Sequence, residues 1–391
     1  MIVIARWFGL GLAALVLVSP ARAEHLKLDE YLETVRAQYM LPALAAAVVK
    51  DGEVIAAGAV GTRVYGADIP VTIDDRFHLG SDTKAMTATL AGMMVEEGRL
   101  GWDSTVGEVL GKDIHGMNPK LAAVTLEQLL SHSSGIPTDT EEMIDLYFNT
   151  DAFSYNPDEL RLRAIDAWKA NEPKVPEESP FQYANFGYLI AGALIEKVAG
   201  RPWEELIVER IFEPLGLETA GLGAQATPGR LDAPVGHRVD DAGKVSPMLW
   251  GAAADAPAMI GPAGTVHMSV LDFARWAAWN AGKGKREPAL VEPATLARLH
   301  QAHVRTPHRK HPPVGTPQDG EYGLGWGIVK FDWADRSLLT HNGSNGMNLA
   351  KVLIDPDDDL GIVVMTNFPE DKAEAATAEI LQHLYEEYGP K

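Results

Sequence analysis

Cysteine is absent from all 391 residues, which excludes disulfides, thiolate metal sites and a cysteine nucleophile. Positive charge is scarce as well. Thirty-four Lys and Arg stand against 54 Asp and Glu, a net charge of −20, and that sign disfavours nucleic acid or anionic membrane as a partner. The basic cluster Arg305 to His311 lies among prolines and reads as a solvated loop. After the first two dozen residues no run is long and apolar enough to span a bilayer. Internal repeats, low-complexity blocks and an H-E-x-x-H motif are all missing. So is the G-x-S-x-G elbow, because Leu79 and Thr83 occupy its glycine positions around Ser81. His300, His303, His308 and His311 lack a matching carboxylate cluster and are read as surface residues; Asp357 to Asp359 are read as a charged hairpin turn. Neither a metal nor a cofactor is expected.

What is present starts with a leader. Arg6, the apolar run Trp7 to Val18 and the small-x-small triplet Ala21-Arg22-Ala23 have the form of an export signal over residues 1–23, so a periplasmic or secreted protein is expected. Leu28 to Met40 reads as an amphipathic helix. Leu44 to Lys50 and Glu53 to Gly58 flank Asp51-Gly52, a strong hairpin turn. A second hairpin joins Leu349 to Ile354 with Leu360 to Thr366, and Glu370 to Tyr388 reads as a terminal helix. Strands at both ends around a helix-rich middle predict an α+β fold. Its antiparallel sheet is built from the N- and C-terminal segments and flanked by helices, with a central helical insertion. Residues 24–391 then form one catalytic domain, with a sheet subdomain at about 24–84 and 311–391 and a helical subdomain at about 85–310. The active site is expected at their junction.

The chemistry centres on Ser81-Asp82-Thr83-Lys84. Residues three apart on a helix are neighbours, so the Ser81 hydroxyl and the Lys84 amine can share a proton. Ala85 to Val95 is an almost uncharged helix ended by Glu96, Glu97 and Gly98, which puts Ser81 in its first turn, where unpaired N–H groups favour negative charge. Lysine acts as a base once burial lowers its pKa, and Lys84 lies inside this apolar helix. Tyr-x-Asn occurs twice, as Tyr147-Phe148-Asn149 and Tyr183-Ala184-Asn185, and spacing alone does not choose between them. His341-Asn342-Gly343-Ser344 is expected to be an edge strand lining the cleft, with Gly343 removing bulk so that substrate approaches the backbone.

In this order, Ser81-x-x-Lys84, Tyr183-x-Asn185 and His341-x-Gly343 resemble the penicillin-recognising serine hydrolases, the group of class C β-lactamases, D-alanyl-D-alanine carboxypeptidases, esterases and D-amino-acid peptidases. The likeness covers about residues 30 to 368. Leu129 to Gly135, Glu213 to Leu217, Pro262-Ala263-Gly264 and Tyr322 to Gly327 support it. It selects the second Tyr-x-Asn, because the pattern continues into Gly187-Tyr188 and an apolar helix. The resemblance implies that Ser81 forms the acyl-enzyme, that Lys84 and Tyr183 move protons, and that Asn185 holds Lys84 and the substrate amide. It also implies an oxyanion hole made by the backbone N–H groups of Ser81 and Ser344, and substrate contacts from His341, Asn342 and Gly343. Many relatives carry Lys in place of His341 and Thr in place of Asn342. The expectation is therefore hydrolysis of a peptide or D-amino-acid amide or of a small carboxylic ester, with β-lactam turnover ranked third and a non-catalytic binding protein as the rival. The partner is a small-molecule or peptide substrate of a monomer. An unperturbed His341 would bind anionic substrates only in acid.

Overall fold

The computed structural model describes residues 26–148 and 155–391; the expected leader lies outside them. Nine strands form one sheet. Across it run Leu26–Lys27, Glu53–Gly61, Ala43–Lys50, Leu360–Thr366, Leu349–Asp355, Ser337–Ser344, Gly327–Lys330, Glu321–Tyr322 and Val304–Arg305, antiparallel except at the first pair. Both expected hairpins are there, and the N-terminal one pairs with the C-terminal one through Ala45 to Lys50 and Leu360 to Met365. The last strand, Val304–Arg305, comes from the stretch expected to be helical, because its two residues pair with Glu321 and Tyr322.

The central strands are buried on both faces, which is why Ala43–Lys50 is a run of Ala, Leu and Val rather than an alternation. One face packs on helices Asp29–Tyr39 and Glu370–Tyr388. The other packs on the larger core, where helix Val270–Ala281 crosses the sheet. A Cβ at Gly361 would come within 3.0 Å of the Ala277 Cβ, so that glycine sets how closely helix and sheet approach.

Helix Thr83–Glu96 sits between this sheet and the helical layer. Twelve of its 14 residues are buried, which accounts for a sequence apolar on every side. Asn185–Ala199 packs beside it, capped by Gly200 in the left-handed region at φ 69°. Among the described residues no helix is long and apolar enough to cross a membrane.

Candidate active site

Ser81 lies one step earlier than its pattern suggests, in the 3₁₀ turn Gly80–Asp82 that feeds helix Thr83–Glu96. The turn is held by Thr83, whose hydroxyl donates to the Gly80 carbonyl at 2.7 Å and accepts the Val266 N–H at 3.1 Å. Lys84 is completely buried. Its Nζ reaches Ser81 Oγ at 2.9 Å, Asn185 Oδ1 at 2.7 Å and the Ala263 carbonyl at 2.7 Å. Burial pushes its pKa down to about 7, with Asp139 and Asp82 pulling the other way. Once neutral, the amine spends its two hydrogens on the two carbonyl oxygens and aims its lone pair at Ser81.

Tyr183 covers this pair. Lys84 Nζ stands 4.8 Å from its ring centroid, and desolvation raises the phenol pKa while a hydrogen bond with Ser81 works against that. The segment is pinned by His132, itself in the left-handed region at φ 58°. Its carbonyl accepts the Gln182 N–H at 2.7 Å and its Nδ1 the Ala184 N–H at 3.1 Å, one on each side of Tyr183. Asn185 turns its other end to Asp139, donating to Oδ2 at 2.6 Å, and Tyr147 donates to Oδ1 of the same carboxylate at 3.0 Å. Tyr147 is thus buried three hydrogen bonds away from Lys84, and its partner Asn149 lies outside the described residues.

The strand Ser337–Ser344 corrects three expectations. It is an edge only from His341 onward, because Gly327–Lys330 pairs with it as far as Thr340. Gly343 does not make room for substrate: a Cβ there would lie 1.8 Å from the Leu79 carbonyl and 2.8 Å from the Ser81 nitrogen. Reciprocally, Gly80, at φ +51°, would put a Cβ 2.4 Å from the Ser344 nitrogen. The two glycines let the nucleophile turn press against the strand and bring the N–H groups of Ser81 and Ser344 together. Period-2 alternation then puts His341 and Gly343 on the nucleophile side. Asn342 lies on the opposite face, across from Lys351, whose ammonium pairs with Glu374 of the terminal helix at 2.7 Å.

His341 is also not the titrating group expected from an unperturbed imidazole. Burial and the Lys84 charge push its pKa down to about 3, against the raising effect of its bond to the Asn342 carbonyl. Nδ1 donates to that carbonyl at 3.0 Å, so Nε2 accepts the Tyr322 hydroxyl at 2.9 Å. The ring is neutral throughout the ordinary pH range.

A further contact set escaped the motifs. His78 Nδ1 accepts the Gly80 N–H at 3.0 Å, and its Nε2 lies 2.7 Å from Asp255 Oδ1 without the alignment of a hydrogen bond. The same oxygen accepts from Asn345 Nδ2 at 3.0 Å. Asp255 therefore grips the Ser81 turn through His78 and the end of the Ser344 strand through Asn345. Ser81, Asp139, Asn185, Asp255 and Ser344 together line a cleft of about 210 Å³. Of the four histidines read as surface residues, His308 and His311 are exposed, whereas His300 and His303 are partly buried, on Asn280 and on the Arg298 carbonyl.

A buried lysine poised on a serine, beside a phenol and with the turn of Ser81 packed against the strand end at Ser344, suits nucleophilic acyl transfer. The chain is similar to penicillin-binding protein 4 of Amycolatopsis lactamdurans, 27% identical over 88% of this chain and 85% of that one. It is 24% identical to unguisins hydrolase ungD' of Aspergillus campestris over 89% of its own length, but spans only 62% of that longer protein. Among solved structures it resembles the octameric penicillin-binding protein homologue from Pyrococcus abyssi, with TM-score 0.69, 27% identity and coverage of 90% and 76%. D-amino acid amidase from Ochrobactrum anthropi shares the fold, with TM-score 0.71, 19% identity and coverage of 92% and 96%. Residues 28–386 match the family described as Beta-lactamase, and the chain belongs to that family of serine hydrolases.

Proposed function

We propose that the protein is an exported serine acyl hydrolase that opens an amide or carboxylic ester through an acyl-enzyme on Ser81. The observation that carries this is the Lys84 amine 2.9 Å from Ser81 Oγ, with the two hydrogens of its neutral form engaged by Asn185 and Ala263. Ser81 Oγ attacks the substrate carbonyl while its proton passes to Lys84, and the carbonyl oxygen takes its charge against the N–H groups of Ser81 and Ser344. The bond to the leaving group breaks as Tyr183 delivers its proton to it, and the proton held on Lys84 passes to Tyr183, so that the amine is neutral again before water attacks. Water then repeats the sequence and frees Ser81. The leader-like residues 1–23 support export. A peptide or D-amino-acid amide and a small ester remain ahead of a β-lactam, since a neutral His341 offers no charge to a penicillin carboxylate.

Labelling the pure protein with a fluorophosphonate and with a tagged penicillin, followed by peptide mapping, tests the assignment. The label is expected on Ser81, and Ser81→Ala is expected to abolish it while thermal unfolding stays within about 0.5 kcal/mol of wild type, as for a surface change. A label on another residue removes Ser81 from the mechanism.

The pH dependence follows from Lys84. The base is the neutral amine, so acylation by a neutral reagent is expected to climb about tenfold per unit below pH 7 and to level off above it. Since His341 stays neutral, anionic and neutral substrates share this profile above about pH 5, in place of the contrast that an exposed histidine would create. Labelling rates measured at several pH values decide it; a rate flat across the range rules out Lys84 as the base.

A further inference from the structure

Tyr147, from the Tyr-x-Asn that plays no part in proton transfer, is nonetheless tied to the base. Thr140 caps helix Glu141–Tyr147 by accepting the Met143 N–H at 3.3 Å, and the last residue of that helix returns to the residue just ahead of the cap. The Tyr147 hydroxyl donates to Asp139 Oδ1 at 3.0 Å and the Asn185 amide to Oδ2 at 2.6 Å, while Asn185 Oδ1 accepts from Lys84 at 2.7 Å. A chain of hydrogen bonds thus runs from a buried phenol to the lysine. Asp139, in its middle, lines the cleft with Ser81.

A carboxylate only accepts, so it takes the NH2 end of Asn185 and leaves the carbonyl end to Lys84. Reversed, the amide would set its NH2 against the lysine and its oxygen against the carboxylate, donor to donor and acceptor to acceptor. Charge is the second effect. The titratable groups packed around Lys84 are Asp82 on its own turn, Tyr183 and Tyr188 with ring centroids 4.8 and 5.4 Å from Nζ, and the imidazoles of His132 and His341. Burial lowers both imidazoles and raises both phenols, so all four are neutral near pH 7. Asp82 is buried with no hydrogen-bond donor on either oxygen among the described residues, and burial drives its pKa up. Asp139 has a donor on each oxygen. Arg238 and Asp255 line the same cleft, with Asp255 set against His78 at 2.7 Å.

We propose that Asp139 is a positioning residue for the base, acting through Asn185: it fixes which end of that amide meets Lys84 and sets a negative charge behind it, with Tyr147 as the anchor that aims the carboxylate. This role rests on the acyl-transfer reading above and deepens it, by naming what adjusts the lysine that starts the reaction. Removing the charge favours the neutral amine, so the lysine titrates lower and the active form persists into more acid solution. A residue that merely held the loop would change the rate without moving that titration.

The test is the rate of Ser81 labelling by a fluorophosphonate in the full protein from about pH 5 to about pH 9. Asp139→Asn keeps the shape and the hydrogen bonds, with its oxygen on Asn185 and its NH2 on the Tyr147 oxygen, and loses the charge. Its midpoint is expected about one pH unit below the wild-type value of about 7, the low end of what one nearby opposite charge does. At about pH 5 its rate, taken relative to its own plateau, is then roughly tenfold above that of wild type. Asp139→Ala removes the same charge from a partly exposed loop position, so it reads the shift even where the asparagine variant fails to fold. It also frees Asn185, for which a plateau roughly tenfold lower is expected. Tyr147→Phe keeps the charge, and its midpoint is expected to stay at about 7. If neither charge-removing variant lowers the midpoint, or Tyr147→Phe lowers it as far, Asp139 is only a loop anchor and the proposal falls. A loss at every pH as large as that of Lys84→Ala makes Asp139 the base itself, which overturns it too. If wild type takes no label on Ser81, it is the acyl-transfer reading that fails.

Discussion

Replacing Lys84 by alanine is expected to slow acylation of Ser81 by about 10³ to 10⁴, the upper range for loss of a general base. Among the described residues no other base is free for the hydroxyl: Asp139 is tied to Asn185 and Tyr147, and Tyr183 has its phenol pKa driven up by burial. Truncation also strands Asn185 Oδ1 and the Ala263 carbonyl, which costs about 1–3 kcal/mol of stability. Lys84→Met keeps most of the volume but strands the same two oxygens, so it should lose the same rate with a smaller packing cost. Tyr183→Phe is expected to fall by about 10² or more, and the double variant to be little worse than Lys84→Ala, because groups acting as one proton-transfer unit do not add. The single-turnover acylation rate with one amide substrate at saturating concentration reads all four. Full additivity puts one of the two outside the mechanism.

Gly343→Ala is expected to damage the site almost as severely without touching a catalytic side chain. Its Cβ would meet the Leu79 carbonyl at 1.8 Å and the nitrogens of Ser81 and Asp82 at 2.8 Å, all backbone, so turn and strand must part. Overpacking of this kind costs about 1–3 kcal/mol. Parting also misplaces one oxyanion donor relative to the other, for which a loss of about 10² to 10³ in kcat is expected. Gly98→Ala is the control: its φ is +69° with open space around it, so it carries backbone strain of about 1–2 kcal/mol and no change of rate. Urea unfolding and kcat/KM on the same samples make the comparison. Wild-type acylation in Gly343→Ala would falsify the pairing of the Ser81 and Ser344 N–H groups.

The parts of the molecule written in local pattern were readable before any coordinates. The Asp51-Gly52 turn and the uncharged run after Lys84 each encode their element within a few residues, and the structure has both. Parts that depend on distant partners were not. Asp139 and Asp255 sit in polar stretches with no periodicity, and their importance comes from Asn185, Tyr147, His78 and Asn345, none of them a sequence neighbour. His132 fell inside a stretch noted only for its resemblance, although it brackets Tyr183 from both sides. The role of Gly343 was misassigned because a glycine reports that something comes close without saying what; here it is the turn of Ser81. The ionisation of His341 was misjudged for a related reason, since burial and a nearby lysine are properties of the assembled site.

The pairing of Ala45 to Lys50 with Leu360 to Met365 also sets an order of events in time. The two partners are about 310 positions apart. At a synthesis rate of about 5–20 residues per second, the first strand is made roughly 15–60 s before its neighbour exists. Through that interval Ala43-Leu44-Ala45-Ala46-Ala47-Val48-Val49 is an apolar hairpin edge with free N–H and C=O groups, the kind of segment that templates association with other chains. Long-range closure is slow for the same entropic reason. The vulnerable species in production of this protein is accordingly the nearly complete chain awaiting its last two strands, and truncation before Leu360 leaves that edge permanently open.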